Sequence, residues 1–179
     1  MPDLIEWPPA MARIILGLVL LQRLIEHRIA RRNAERLLSE GGIEHGASDY
    51  PLIILMHACF LAALVFTVPA HSAINWAWVA VYVALQGLRA WTMMSLGRYW
   101  TTRIISVPGA PLVKRGPHRY VRHPNYLVVA GEIAVLPLIF DQYLIAALFT
   151  AANALLTYHR IRTEDAVLAE RRLTPPAES

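Results

Sequence analysis

The sequence predicts an all-α integral membrane protein with about five transmembrane helices, the last two forming a tight hairpin. Three observations predict it. Of the 179 residues, 56% are hydrophobic and 17% charged, whereas a soluble domain averages about 45–50% apolar and about 25% charged. Apolar runs long enough to approach a bilayer's thickness recur along the chain. Arginine and lysine gather between alternate runs, as they do on the cytoplasmic side of membrane proteins.

The first span runs from Pro9 to about Ile29, with Pro8-Pro9 at a helix start, where a missing N–H costs little; Gln22, Arg23 and Glu26 crowd its end. Asp3 and Glu6 stand where a signal peptide has basic residues, so this span is expected to be retained. The second runs from Pro51 to about Val68 and is closed by Pro69. It contains Cys59, expected as a small buried hydrophobe, and His57, expected to pack or to hydrogen-bond between helices. The third covers about Ile74 to Leu96, with Trp76, Trp78 and Tyr82 at one end in the manner of an interfacial belt. Tyr126–Phe140 and Tyr143–Tyr158 follow, separated by Asp141 and Gln142 alone. At 1.5 Å per residue each arm covers roughly 22–25 Å, short of a core about 30 Å thick. Such arms require tilt-free packing, a locally thinned bilayer, or an end inside a protein-lined cavity.

Charge sets the orientation. Arg28, Arg31, Arg32 and Arg36 follow the first span; Arg98, Arg103, Lys114, Arg115, Arg119 and Arg122 follow the third; Arg160, Arg162, Arg171 and Arg172 follow the fifth. The other two links carry no Lys or Arg. Five spans therefore place the N-terminus outside and the C-terminus in the cytoplasm. The segments Arg31–Tyr50, Gly97–Pro124 and Tyr158–Ser179 then share one face, within a single domain whose catalytic half is about 97–172. The net charge of +4 and pI of about 9.6 thus read as topology and anionic-headgroup contacts, without nucleic acid. One cysteine permits neither a disulfide framework nor a cysteine metal cluster, and no metal site is expected. The Pro-Pro tail is expected to be frayed.

Chemistry concentrates in Gly116-Pro-His-Arg-Tyr-Val-Arg-His-Pro-Asn-Tyr126. Gly116-Pro117 signals a turn and His123-Pro124 a helix start. His118, Arg119, Tyr120, Arg122 and His123 therefore lie at the membrane boundary, where backbone N–H groups and guanidinium forks suit a carboxylate or phosphate. The competing reading is a basic anchor with snorkelling tyrosines. After the fifth span, Arg160 and Glu164 stand four apart on one helix face, with Asp165 and Glu170 nearby. They form either a solvated ion pair or a closure over a cofactor held by the His-Pro turn. Within the spans, Glu132 needs a partner or a cavity. Arg89, one turn from Gln86 on a face with Tyr82 and Met93, either snorkels to the surface or pairs with Glu132; the two residues are assigned to the acceptor's side.

The Gly116–Tyr126 run, the intramembrane Glu132 and the Arg-x-x-x-Glu-Asp of Arg160–Asp165 resemble the isoprenylcysteine carboxyl methyltransferase superfamily, which has relatives among phospholipid N-methyltransferases. Further segments resemble its bacterial alkylpyrone and alkylresorcinol O-methyltransferase-like branch: Arg32-Asn33-Ala34-Glu35, Glu44-His45-Gly46 with Tyr50-Pro51, Leu88-Arg89-Ala90-Trp91, and Leu96–Thr102. The likeness covers roughly Arg28 to Leu168. It implies a bacterial inner-membrane enzyme that encloses S-adenosylmethionine between the His-Pro turn and the tail helix, with a lipid-facing tunnel for the acceptor. By the same likeness, Lys114, Gly116, Pro117, His118, Tyr120, His123, Pro124, Tyr126 and Glu164 contact the cofactor. Arg122 and Arg160 are polar anchors near the transferred methyl, and His123, Glu164 and these two arginines form the catalytic set.

Methyl transfer needs positioning, charge placement and a deprotonated acceptor, without metal or covalent intermediate. His123 is the nearest base for a phenolic or enolic acceptor. The preferred acceptor is a long-chain phenol or pyrone. A carboxyl group on an isoprenylated cysteine, or a lipid amine, is the alternative of the same class. A nicotinamide-dependent membrane reductase and a transporter or assembly factor are the readings outside it. Gly41-Gly42 precedes no dinucleotide-type unit.

Overall fold

In the computed structural model, which describes residues 10–110 and 113–173, five helices follow from the apolar runs. They are α1 (Met11–Ser39), α2 (Tyr50–Thr67), α3 (Trp76–Leu96), α4 (Pro124–Leu138) and α5 (Tyr143–Leu173). The Pro8-Pro9 start and the Pro-Pro tail lie outside the described residues. Prolines set the other boundaries: Pro51 enters α2 and Pro124 opens α4, both at first-turn positions that leave no hydrogen bond unmade.

The chain is not purely helical. Two three-residue strands, β1 (Ile43–His45) and β2 (Ile104–Ser106), pair antiparallel, with Glu44 opposite Ile105. This ribbon ties the segment after α1 to the segment after α3. Arg98–Glu40 at 2.7 Å and Arg103–Glu44 at 3.1 Å reinforce the junction, as does Asn33 Nδ2 donating to the Trp100 carbonyl at 2.8 Å.

Two of the helices are longer than expected. α1 continues ten residues past Ile29, and α5 runs unbroken through the expected end at Tyr158. No glycine or proline falls between Tyr143 and Leu173 to stop it. The hairpin between α4 and α5 is as tight as expected: Phe140 and Gln142 both donate backbone N–H groups to the Pro137 carbonyl at 3.0 Å. Asp141 adopts a left-handed φ of 55° there, which an Asx side chain tolerates.

Two helices, Tyr50–Thr67 and Tyr143–Ala169, are long and apolar enough to cross a membrane. Helix α4 is apolar but shorter, while Gln22, Arg23 and Glu26 on α1 and Gln86 and Arg89 on α3 dilute the hydropathy of those two. Outward faces are hydrophobic: Phe66 is 87% exposed, and Leu18, Val83, Leu144 and Leu155 are exposed too. Contiguous apolar surface of this kind fits hydrocarbon rather than water. Two expectations are corrected by helix phase. On α2 the buried stripe is Met56, Phe60 and Leu64, so Cys59 faces outward and is exposed. Tyr82 belongs to the core instead of an interfacial belt, packed in the cluster that includes Leu16, Phe60 and Leu136.

At the centre three helices meet through charge. Arg89 donates Nε and Nη2 to the two carboxylate oxygens of Glu26, both at 2.7 Å, and Nη1 to Glu132 at 3.0 Å. Arg23 bridges the same carboxylates, at 2.8 Å to Glu26 and 2.9 Å to Glu132. Gln22 donates to Gln86 at 2.6 Å, and Gln86 to Glu132 at 2.8 Å. Arg89 therefore does not snorkel; it is 6% exposed, and Glu132 3%. Two cations and two anions cancel, which makes burial at this depth tolerable. Glu132→Gln removes one anion and leaves two guanidinium groups facing one carboxylate. The expected loss is about 3–5 kcal/mol, read by unfolding in detergent; the double variant Arg89→Leu/Glu132→Leu, which restores neutrality, is expected to lose less than Glu132→Gln.

Candidate functional site

The turn before α4 is shaped by Gly116, whose φ of 58° favours glycine. A Cβ there would fall 1.9 Å from Ser95 Oγ, so only glycine lets the turn rest on α3. Arg115 Nε, donating to the Ser95 carbonyl at 2.9 Å, holds the same contact. A short 3₁₀ turn, Gly116–Arg119, follows with Pro117 buried. This carries the chain to His123, the residue preceding α4.

The His-Pro turn and the far part of α5 meet. Tyr126, in the first turn of α4, donates its hydroxyl to Glu164 Oε2 at 2.6 Å and accepts from Arg160 Nε at 3.0 Å. Arg160 and Glu164 are thus joined through Tyr126. Arg160 Nη2 also donates to the Thr102 carbonyl, and the Thr102 hydroxyl hydrogen-bonds Tyr50 at 2.8 Å. His123 sits between carboxylates: Nε2 lies 3.1 Å from Asp165 and Nδ1 3.7 Å from Glu164. Thr102, Tyr50 and Asp165 complete the junction. The first two lie in segments that carry the family resemblance, Tyr50-Pro51 and Leu96–Thr102. Nothing in the sequence points to their part in the junction, because Thr102 meets Arg160 through its backbone and Tyr50 meets Thr102 from a distant segment.

A cavity of about 1040 Å³ opens beside this junction, at the upper end of the about 300–1,000 Å³ that drug-sized ligand sites occupy. Its polar end is lined by Lys114, His118, Arg122, His123, Tyr126 and Glu164, with Arg119, Pro124, Arg160 and Asp165. It continues past Arg89, Glu132 and His57 to Phe60, Leu61 and the exposed Phe66. His57 bonds within its own helix, Nδ1 to the Ile53 carbonyl at 2.8 Å, and not between helices.

Not every expected residue reaches the cavity. Gly116 and Pro117 shape the turn without lining it, and Tyr120 is 74% exposed and points away. Arg89 and Glu132 line it about two turns of α4 from the His-Pro end, bound to each other and to Arg23 and Glu26. The sequence alone shows the latter two only as polar residues crowding the end of α1.

The two histidines experience opposite environments. The Glu164 carboxylate, then Asp165, holds the His123 imidazole above its ordinary pKa against the effect of burial. Burial holds His118 below its ordinary value, with Glu164 opposing. His118 Nδ1, His123 Nδ1 and Asn125 Oδ1 are buried and have no hydrogen-bond partner among the described residues, and all three residues line the cavity. Buried polar atoms gathered on one cavity wall call for partners and make this end of the cavity the candidate site.

The model of the isoprenylcysteine carboxyl methyltransferase (ICMT) family matches residues 78–170, a stretch that contains nearly all of α3, the His-Pro turn, α4 and nearly all of α5. The uncharacterized protein YpbQ of Bacillus subtilis is 40% identical over 161 residues, which cover 88% of this chain and 96% of that protein. The cobalt-zinc-cadmium resistance protein CzcN of Cupriavidus metallidurans is 32% identical over 110 residues, 61% of this chain and 50% of CzcN. The nickel-cobalt-cadmium resistance protein NccN of Alcaligenes xylosoxydans xylosoxydans is 30% identical over 107 residues, covering 59% and 50% respectively. No solved structure matches the chain.

A raised imidazole pKa stabilises the fold while the ring is protonated. The contribution of His123 is full below its ordinary value of about 6.5 and fades as pH rises through the raised folded value. The difference in thermal midpoint between the parent protein and His123→Gln is therefore larger near pH 6 than near pH 9; a difference independent of pH would contradict the assignment.

Proposed function

The chain belongs to the isoprenylcysteine carboxyl methyltransferase family, and from that premise we propose that it transfers a methyl group from S-adenosylmethionine to an oxygen of a lipophilic acceptor, a long-chain phenol, pyrone or similar, at the cytoplasmic membrane face. The observation that carries this reading is the Tyr126–Glu164–Arg160 junction at the mouth of one cavity that runs on to apolar, outward-facing residues. A polar pocket continuous with a hydrophobic passage suits a charged, water-soluble donor and a lipid-borne acceptor. The five helices are read as crossing the bilayer, with the basic segments cytoplasmic and membrane lipids around the apolar faces.

The residues present fit the cofactor. Lys114, Arg119 and Arg122 supply cations for a carboxylate, while Glu164 and Asp165 supply anions for a sulfonium. The unpartnered atoms of His118, His123 and Asn125 supply further polar contacts. When bound, S-adenosylmethionine provides an electrophilic methyl carbon.

The chain's own work is positioning and charge placement. Tyr126 fixes Glu164 by donating to it and fixes Arg160 by accepting from it. Arg160, with Nε and Nη2 engaged, keeps Nη1 for the acceptor. His123, pulled toward its charged form by two carboxylates, is a poor base and a good anchor. His118, pushed toward its neutral form by burial, is the better base for a phenolic or enolic oxygen. Opposed shifts on neighbouring titratable groups are how one site divides such roles.

Detergent-purified protein is expected to bind S-adenosylhomocysteine and not NADPH. His123→Ala and Glu164→Ala, still folded, are expected to lose that binding about tenfold or more; parent affinity in both would sink the site assignment. Arg160→Ala is expected to lose rate more than cofactor affinity, and equal loss of both would remove it from the acceptor side. Lipid extracts of cells with and without the protein, compared by mass spectrometry, should differ by one methylene's mass in a lipophilic species. For a phenolic acceptor, kcat/KM should rise with pH through a pKa below the ordinary imidazole value of about 6.5. His118→Gln should lose that limb.

A further inference from the structure

Helix α5 carries a buried polar group that the junction does not use. Asn153 is 3% exposed, and its side-chain amide makes no hydrogen bond among the described residues, with Nδ2 buried and unpartnered. An amide in an otherwise apolar helix segment is costly unless something satisfies it. Asn153 lines the same cavity as the cofactor end, among Phe60, Ile133, Leu136 and Leu156. It stands seven residues before Arg160 and eleven before Glu164. At 100° per residue those offsets place all three within about 20° of one line along α5. The amide thus lies about 10 Å along the axis from Arg160, at about the depth that Glu132 reaches on α4, six residues beyond Tyr126.

We propose that Asn153 is a specificity-determining residue that hydrogen-bonds a second oxygen of the acceptor, a hydroxyl or carbonyl distinct from the methylated one. This rests on the reading of the cavity as the acceptor's passage. It narrows the acceptor class to lipophilic molecules with two oxygen functions, and it disfavours a purely hydrocarbon chain at that depth. An amide both donates and accepts, so it takes either a carbonyl or a hydroxyl. A site built to hydrogen-bond an oxygen rejects the analogue lacking it, because the protein group is then left unpaired.

The test compares a long-chain 5-alkylresorcinol with the 3-alkylphenol of equal chain length. Their affinities for the full-length protein in detergent are read by tryptophan fluorescence in the presence of S-adenosylhomocysteine. The parent protein is expected to bind the resorcinol about tenfold more tightly, and Asn153→Leu is expected to abolish the difference by weakening resorcinol binding alone. Because the amide has no partner in the fold, the Leu variant's thermal midpoint without ligand should be no lower than the parent's. Equal affinities in the parent, a preference kept in the variant, or a variant markedly less stable would each overturn the proposal. S-adenosylhomocysteine affinity is measured separately on both proteins. Its absence would remove the methyl-transfer reading, while the comparison of the two alkyl probes would still decide the role of Asn153.

Discussion

The arrangement depends on one hydroxyl. Tyr126 stands at the start of α4, twenty-four residues after Thr102 and thirty-four before Arg160, and its oxygen joins the helix it belongs to with the far part of α5. Because Arg160 also reaches the Thr102 carbonyl, the same contact draws in the segment after α3. Three separate stretches of chain are held by hydrogen bonds in which charged groups take part, and these are stronger than neutral ones. Without this oxygen, Arg160 and Glu164 would have no common partner, and the mouth of the cavity would be held only by the contacts of His123 with Asp165 and Glu164 and of Arg160 with Thr102.

A second polar assembly lies about two turns along α4 from the first. Arg23, Glu26, Arg89 and Glu132 neutralise one another inside the bundle, and they border the same cavity that begins at His123. The passage therefore has a charged mouth, a neutralised polar waist and an apolar continuation. That sequence of environments suits an amphiphile whose reactive end must meet a water-soluble partner while its chain stays among hydrocarbon side chains. A family of membrane methyltransferases faces that problem, and here the solution is distributed over four helices and a turn.

Much of this was legible from the residues. The Gly116–Tyr126 run announces itself because turn formers, histidines, arginines and tyrosines crowd into a short stretch before an apolar helix. The pairing of Arg89 with Glu132 was legible because isolated charges in apolar helices need partners. Other parts were hidden for physical reasons. Arg23 and Glu26 read only as polar residues crowding the end of a span, since a helix's phase relative to its neighbours is not written in its own sequence. The same ignorance of phase placed Cys59 inside and Tyr82 at an interface. The ribbon joins two three-residue strands about sixty residues apart, too short for an alternating pattern to show. The unbroken course of α5 could have been read, because no glycine or proline interrupts it; the change from apolar to charged composition near Tyr158 obscured a helix that simply leaves one solvent for another. Asn153 was visible as the lone amide in an apolar run, but only burial without a partner gives it meaning.

That uninterrupted helix also acts as a gauge. Asn153, Arg160 and Glu164 are graduations on one rigid rod, so the spacing between the carboxylate at the mouth and the amide in the interior cannot be adjusted by bending a linker. Adapting the passage to a longer or bulkier guest therefore falls to other lining residues, Phe60, Leu61 and Phe66 of α2 among them. Divergence in what is accepted can accumulate on α2 while the rod, and with it the polar end of the cavity, keeps its dimensions.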